Sequence, residues 1–127
     1  MVNGLFSHAN YQGLKKMLDM TVVRHEAIAS NLANVETPNY KRIDVQGSFS
    51  SELGRAIQAG KVNEIGRLQP RIVIDKNAPA PNRDGNSVQL DGELLQLQQN
   101  SMAHNLQTQF ISRSMMKLRS AIQGRVG

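Results

Sequence analysis

The chain has no cysteine and no tryptophan, and aromatic residues make up only 4% of it. Without cysteine, disulfides and thiolate metal sites are excluded. No run of about 18 apolar residues occurs, so we expect no membrane-spanning helix. The N-terminus lacks a basic segment followed by an apolar stretch, so we also expect no cleavable secretory signal. If the protein leaves the cytoplasm, it uses a route that needs no such signal.

The apolar residues are too few for a large core. At 127 residues the chain has the length of one domain. Its hydrophobic fraction of 39% lies below the usual value of about 45–50%, and the apolar residues are concentrated in the two terminal segments. This distribution favours thin helical packing that is completed against copies of the chain or other partners.

The net charge of +5 comes from 15 basic and 10 acidic residues. Basicity can indicate nucleic-acid binding, but here charges of both signs are interspersed. Asp91 and Glu93 precede Arg113, Lys117 and Arg119, a polarity that complements a helix dipole. We therefore expect a solvated surface and no nucleic-acid partner. The competing hypothesis, a basic DNA-binding hairpin, requires an affinity that falls steeply with salt.

The first long segment, residues 8–35, is predicted to be a helix. Apolar positions recur at alternating spacings of three and four, which is typical of a heptad seam. The seam consists of Tyr11, Leu14, Leu18, Thr21, His25, Ile28, Leu32 and Val35. Of these, we expect Leu14, Leu18, Ile28 and Leu32 to carry the helix packing.

A second long helix is predicted from its N-cap, Asp91, to Ile122. Its seam consists of Leu90, Leu94, Leu97, Ser101, His104, Thr108, Ile111, Met115, Leu118 and Ile122. The residues expected to pack on the first helix are Leu94, Leu97, Ile111, Met115 and Leu118. A separate apolar stripe consists of Leu95, Met102, Leu106 and Phe110. Two apolar stripes exceed what one partner helix covers, so we predict that this stripe contacts other subunits.

The predicted fold is mainly α, with the two long helices packed as an antiparallel coiled-coil hairpin. Polar residues within the seams suggest a register: Leu32 faces Leu97, His25 faces His104 and Leu18 faces Ile111. Residues 1–43 and 90–127 then form one structural unit, with residues 44–89 as an irregular middle segment. An ordinary monomeric hairpin is the alternative explanation of the same seams.

The middle segment is predicted to contain a short helix and a minor β element. Phe49, Leu53 and Ile57 are four residues apart, which favours a helix over residues 48–59. The following stretches are predicted to be, in order, a loop over 60–66, an edge strand within 68–75, an extended Ala-Pro-Ala-Pro linker over 76–82, a turn at 84–86 and a brief strand pairing over 88–90.

Patterns typical of catalysis or metal binding are absent from the sequence. His8, His25 and His104 lack the spacing of metal ligands. No serine lies in a Gly-x-Ser-x-Gly elbow, and no glycine-rich phosphate loop occurs. Protonation of His25 and His104 would oppose their packing if they are close together. We expect neither an enzyme nor a bound metal or cofactor.

The end of the first helix carries the most informative motif, residues 29–41. Asn31 and Asn34 are three residues apart and share one helix face. Pro38 disfavours helical dihedrals at Thr37, so the helix must end nearby. From the residues alone, the motif is either a helix end that satisfies its own backbone or a set of polar groups offered to a partner.

This motif resembles the N-terminal signature of bacterial flagellar rod and hook proteins. The matching residues are Ala29, Ser30, Asn31, Ala33, Asn34, Thr37, Pro38, Tyr40 and Lys41. The usual glycine after the proline is replaced by Asn39, which tolerates left-handed dihedrals. Residues 84–91 and the Leu-rich helix after them extend the resemblance to about residues 8–45 and 84–123. The short chain is similar to the small proximal rod subunits of the family.

The resemblance implies a structural subunit of the basal-body rod in the periplasm, exported by the flagellar type III apparatus. It implies that the signature residues serve subunit contacts, and that the partners are copies of the chain, other rod proteins and components of the export gate or rod base. The alternative function is a soluble helical-hairpin adaptor or export chaperone that binds one partner helix.

Overall fold

The structure is a computed structural model that describes residues 8–124. In this part of the chain, four helices and two short strands follow one another: α1 His8–Ala33, β1 Ile43–Val45, α2 Ser48–Gln58, α3 Val62–Arg67, β2 Ile72–Ile74 and α4 Leu90–Ile122. The prediction of a mainly helical chain with long terminal helices and a minor β element is confirmed.

The ends of the long helices differ slightly from the prediction. α1 ends at Ala33 and is followed by turns. α4 begins at Leu90, so Asp91 lies in its first turn and is not the N-cap; Gln89 occupies that position without a side-chain capping bond. Asp91 and Glu93 in the first turn still place negative charge where the helix dipole favours it.

The middle segment is more helical than the sequence indicates. The loop predicted over residues 60–66 is wrong, because α3 runs from Val62 to Arg67. One side chain explains this turn of helix: Ile65 is fully buried, and the helix places it in the core. Burial of one isoleucine contributes about 1.5–3 kcal/mol, and Val62 and Leu68 pack against the same core.

The two strands pair with each other. β1 and β2 are antiparallel, with Ile43 opposite Ile74 and Val45 opposite Ile72. The pairing predicted for residues 88–90 is therefore wrong. Val88 is buried instead, and the preceding Ser87 N–H donates to the Tyr40 carbonyl at 3.0 Å.

The hydrophobic core lies between α1 and the middle segment. Its buried members are Ala9, Val45, Phe49, Leu53, Ala56 and Ile65. α2 approaches α1 closely at Gly13, where an added Cβ would overlap the Ile57 side chain. The middle segment therefore supplies most of the hydrophobic core that α1 buries.

The two long helices run in opposite directions past each other. Along α1, Tyr11, Thr21 and Asn31 contact side chains that come progressively earlier in α4: Met115, His104 and Glu93. Thr21 rather than His25 contacts His104, so the predicted register is displaced by about one helical turn. His25 is exposed.

The face of α4 that lies against α1 is polar, and a coiled coil is not confirmed. The buried residues of α4 are Glu93, Asn100 and Gln107, seven residues apart. Leu97 and Ile111 are half-buried. Leu94, Met115 and Leu118 are exposed, although the Met115 Sδ accepts from the Tyr11 hydroxyl of α1 at 3.6 Å. The packing of these three residues on α1 stays a prediction. The Leu94 side chain points away from α1, because the neighbouring Glu93 faces α1 instead. Met115 and Leu118 lie near the start of α1.

Candidate assembly site

Asn31 links the end of α1 to β1 through its side chain. The amide is fully buried. Its Oδ1 accepts from the Ile43 N–H at 3.0 Å, and its Nδ2 donates to the Ile43 carbonyl at 2.8 Å. An amide side chain presents a donor and an acceptor as a backbone unit does. Asn31 therefore occupies the outer edge of β1 in place of another strand.

The other polar signature residues bond one another around the end of α1. Asn34 Nδ2 donates to the Ser30 carbonyl at 2.8 Å, and the Thr37 hydroxyl donates to Asn34 Oδ1 at 3.1 Å. The Ser30 and Tyr40 hydroxyls are 3.0 Å apart, and Tyr40 also donates to Asn31 Oδ1 at 3.3 Å. These contacts within one chain fit the interpretation of a helix end that satisfies its own backbone.

Asn86 completes the end of α1 from a distant part of the sequence. Its Nδ2 lies 2.8 Å from the Asn34 carbonyl, 3.1 Å from that of Val35 and 2.8 Å from that of Thr37. Its Oδ1 accepts from the Val88 N–H at 2.7 Å. These carbonyls lie in the turns that follow α1, where those of Asn34 and Thr37 also accept the N–H groups of Thr37 and Tyr40. Asn86, which is fully buried, supplies a further donor to these turns from across the fold.

Two backbone positions in the left-handed region bring the signature loop and residues 84–86 together. Asn39 has φ 61° and Gly85 has φ 82°. The Asn39 N–H donates to the Asp84 carbonyl at 2.9 Å, and Lys41 Nζ donates to the Gly85 carbonyl at 3.2 Å. Asparagine is among the non-glycine residues that reach this region, as the sequence analysis expected for Asn39.

Arg42 is the centre of a buried ion-pair network. Its guanidinium bonds the Glu93 carboxylate at the start of α4, Asp44 in β1 at 2.9 Å and Asp75 after β2 at 2.8 Å. The backbone N–H of Arg42 donates to the Ser87 hydroxyl at 2.8 Å. One side chain therefore joins β1, β2 and α4 to the loop that follows α1.

The network favours the charged forms of Arg42 and Asp44. Burial lowers the pKa of Arg42, but hydrogen bonds and charges from Glu93 and Asp44 outweigh that effect and raise it overall. Burial raises the pKa of Asp44, but this effect is also outweighed. Hydrogen bonds from Arg42 and the Val45 N–H, together with the charge of Arg24, lower the pKa of Asp44 below its usual value. Arg24 Nε lies 3.1 Å from Asp44 Oδ1.

The signature residues divide into an inward and an outward set. Asn31 is buried, and Ser30, Asn34 and Tyr40 are half-buried. The outward set, which is exposed and available to a partner, consists of Ala29, Ala33, Thr37, Pro38 and Lys41. Only the outward set therefore presents exposed side chains, while the inward set shapes the loop.

The apolar stripe of α4 lies on the face opposite α1. Its exposed fractions are 54% for Leu95, 67% for Met102, 56% for Leu106 and 48% for Phe110. Large exposed apolar patches usually mark an interaction surface. The end of α4 adds further exposed apolar residues, namely Met115, Met116, Leu118 and Ile122.

The centre of the α1–α4 interface consists of polar side chains that bond one another and the backbone. The Thr21 hydroxyl donates to the Leu18 carbonyl at 2.7 Å, so it accepts from His104 Nδ1 at 3.1 Å. Asn100 Nδ2 donates to the Thr21 carbonyl at 2.8 Å. Among residues 8–124, no group of His, Asp and Glu side chains is arranged to hold a metal ion.

Comparisons with known proteins identify relatives of this chain. No protein-family model matches it. It is 31% identical over 113 residues to the flagellar basal body rod protein FlgB of Aquifex aeolicus (strain VF5), which covers 87% of this chain and 90% of the relative. It is 35% identical over 111 residues to FlgB of Borrelia hermsii, with 73% and 80% covered. FlgB of Salmonella typhimurium is 25% identical over 127 residues, with 87% and 90% covered.

The signature loop, the exposed stripe and these relatives define a protein of the bacterial flagellar rod class. Within that class, the chain belongs to the flagellar basal body rod protein FlgB family. No helix among the described residues is long and apolar enough to cross a membrane.

Proposed function

We propose that this chain is a structural subunit of the proximal rod of the flagellar basal body. Its neighbours would be copies of itself, other rod proteins and components of the export gate or rod base. It would reach the periplasm through the flagellar type III apparatus without a cleavable signal. The names of its relatives support the rod subunit; the exposed stripe of α4 supports the assembly step.

Assembly would bury the stripe of α4 against neighbouring subunits. One chain leaves Leu95, Met102, Leu106 and Phe110 about half exposed or more. Burying a fully exposed side chain of this kind gains about 1.5–3 kcal/mol, so each of these would gain roughly half of that. Contacts between unlike surfaces that do not close into a ring generate a helical tube. The outward signature residues lie at the other end of the α1–α4 pair from the tail of α4, so they offer a second, different contact surface.

The ion-pair network would make the subunit stiff enough to carry torque. Arg42 ties α4 to β1 and β2, and Asn31 ties α1 to β1. Several charge-assisted bonds from one planar guanidinium fix geometry as well as add energy. A load on α4 would therefore pass to α1 through hydrogen bonds rather than through a flexible linker.

The stripe is tested by Leu106→Arg, compared with Ser101→Arg at an exposed position on another face of the same helix. Each variant would be expressed in a host that lacks its own copy of this protein. We expect Leu106→Arg to lose motility and to be missing from purified basal bodies, while Ser101→Arg restores both. Circular dichroism of the purified subunits checks that both variants remain helical.

Two outcomes would contradict the proposal. Leu106→Arg subunits present in basal bodies at wild-type amounts would show that the stripe is not an assembly surface. A saturable cytoplasmic complex with one partner, together with absence of the wild-type chain from basal bodies, would indicate the adaptor or chaperone function instead.

A further inference from the structure

Strand β2 has one edge without a partner strand. Gln46 N–H donates to the Arg71 carbonyl at 2.8 Å, and Asp75 N–H donates to the Arg42 carbonyl at 2.9 Å. Residues 71, 73 and 75 therefore direct their backbone groups toward β1. The N–H and C=O groups of Ile72 and Ile74 point the other way, and no backbone group among residues 8–124 bonds them.

The open edge is also apolar. The exposed fractions are 39% for Ile72, 38% for Val73 and 60% for Ile74. Three β-branched residues beside unpaired backbone groups form a template for another strand. The equivalent edge of β1 is closed by the Asn31 amide, which bonds both backbone groups of Ile43. Only the β2 edge, among the described strands, is therefore open to a partner.

The sequence around β2 indicates which strand would fit. It reads Arg71-Ile72-Val73-Ile74-Asp75, with apolar residues placed symmetrically about Val73 and opposite charges at the two ends. Such a strand is complementary to itself when two copies run antiparallel. We propose that the β2 edge pairs with β2 of a second copy of this chain, with Val73 at the centre.

The register of this pairing agrees with the direction of the free backbone groups. Ile72 would face Ile74 of the second copy as a hydrogen-bonded pair, and Ile74 would face Ile72 likewise, which gives four backbone hydrogen bonds. Val73 would face Val73, and Arg71 would face Asp75, at non-hydrogen-bonded positions where side chains are closest. Shifting the register by one residue would direct Ile72 and Ile74 at backbone groups that point away from them.

Asp75 can accept the additional cation. Its Oδ2 bonds Arg42 at 2.8 Å and its Oδ1 accepts the Asn77 N–H at 2.9 Å. A carboxylate has about four acceptor positions, so two remain for Arg71 of the second copy. The result is a four-stranded sheet across two chains in place of two sheets of two strands, which are marginal alone.

This contact is distinct from the assembly contacts proposed above. A two-fold pairing closes on itself, whereas growth of a tube needs contacts that do not close. The β2 pair would therefore form between free subunits and cover the apolar edge before assembly. It involves no residue of the α4 stripe.

Disulfide formation tests the register directly, because the chain has no cysteine of its own. In Val73→Cys, the two introduced thiols would lie across the two-fold axis at a Cα separation of about 4.5 Å, which suits a disulfide. The matched control is Arg71→Cys, on the same strand face but paired with Asp75. We expect Val73→Cys to form the covalent dimer at least about tenfold faster than Arg71→Cys, since the control thiols would be roughly 13 Å apart.

Sedimentation equilibrium of the cysteine-free chain gives an independent measurement. We expect a monomer–dimer equilibrium that Arg71→Glu shifts toward monomer, because like charges would then face each other. Phe110→Ser, in the α4 stripe, should leave the Val73→Cys reaction unchanged even where it abolishes rod assembly. Equal cross-linking rates for the two cysteine variants, a strictly monomeric chain, or a cross-link from the thiol introduced at position 73 to a different protein would each overturn the proposal.

Discussion

The Glu93 carboxylate lies against the guanidinium of Arg42, with Arg42 Nη2 3.5 Å from Glu93 Oε2 and a closer contact between Nε and Oε1. Both side chains are almost completely buried. This pair sets the rotation of α4, because the residue that faces α1 at the start of the helix must be Glu93 and cannot be Leu94. The apolar side chains on the opposite face are left exposed as a consequence.

Glu93→Gln is expected to lower the free energy of unfolding by about 1.5–3 kcal/mol, because the buried Arg42 loses its charge-assisted bonds to one of its carboxylate partners. Asp44 and Asp75 continue to bond Arg42, so the fold should survive. Urea denaturation followed by circular dichroism measures the change, with Glu52→Gln on the exposed surface of α2 as the control. A loss in Glu93→Gln no greater than in the control would contradict a structural role for the pair.

Acid should weaken the network through Asp44. Its pKa is lowered in the folded chain, so the unfolded chain binds more protons in acid. The stability that Asp44 contributes is therefore present above its unfolded pKa of about 3.9 and is lost as the pH falls through its lower folded value.

Thermal unfolding at a series of pH values between about 6 and 3 measures this dependence. The midpoint should fall toward acid, and Asp44→Asn should flatten the part of the curve below the unfolded pKa. An Asp44→Asn curve parallel to that of the wild type would show that Asp44 is not the responsible group.

Asn86→Asp is expected to be more destabilising than its small change in shape suggests. The Nδ2 group that lies near three carbonyls would become an oxygen that repels them. Loss of this donor from a buried side chain, together with the repulsion, is expected to cost about 1–3 kcal/mol. Urea denaturation gives the loss, and hydrogen exchange should show faster opening at residues 31–37. Asn82→Asp, at an exposed position of the same loop, is the control, and an equal effect there would argue against capping by Asn86.

Asn39→Gly should be neutral or slightly stabilising, because glycine reaches φ 61° without strain. Asn39→Val should lower the free energy of unfolding by about 1–2 kcal/mol, since a β-branched residue is disfavoured in this region. Comparing the two variants by thermal denaturation separates backbone strain from loss of the amide. A Gly variant as unstable as the Val variant would mean that the side chain, and not the dihedral, matters at this position.

The sequence predicted the two long helices better than it predicted the contacts between them. Three-and-four spacing predicted α1 and α4 because apolar periodicity is a local property. The same spacing predicted that Leu94 packs on α1, because leucine is apolar. The buried position is occupied instead by Glu93, whose partner Arg42 lies about fifty residues away in the chain. The only local signal for that burial was an acidic residue in the first turn, which a helix dipole already explains.

The candidate site could be predicted only in part from the sequence, because some of its contacts join segments that are far apart in the chain. The signature residues were recognisable as one motif, and Asn39 was expected to tolerate its left-handed dihedral. Asn86 appeared only as part of a turn signal, since its partners are the carbonyls of Asn34, Val35 and Thr37. Hydrogen bonds supplied by a distant segment produce no periodic pattern in the sequence, so they could not be predicted from it. The same holds for the burial of Ile65 in α3.

Solvent accessibility at position 106, before and after assembly, is the most direct test of the central claim that neighbouring subunits bury the α4 stripe. Leu106→Cys provides the probe and Ser101→Cys, exposed on another face of α4, the control, each labelled with a maleimide in the free subunit and in purified basal bodies. We expect rapid labelling of both in the free subunit and strong protection of position 106 alone in the rod. Equal labelling of position 106 in the two states would contradict it.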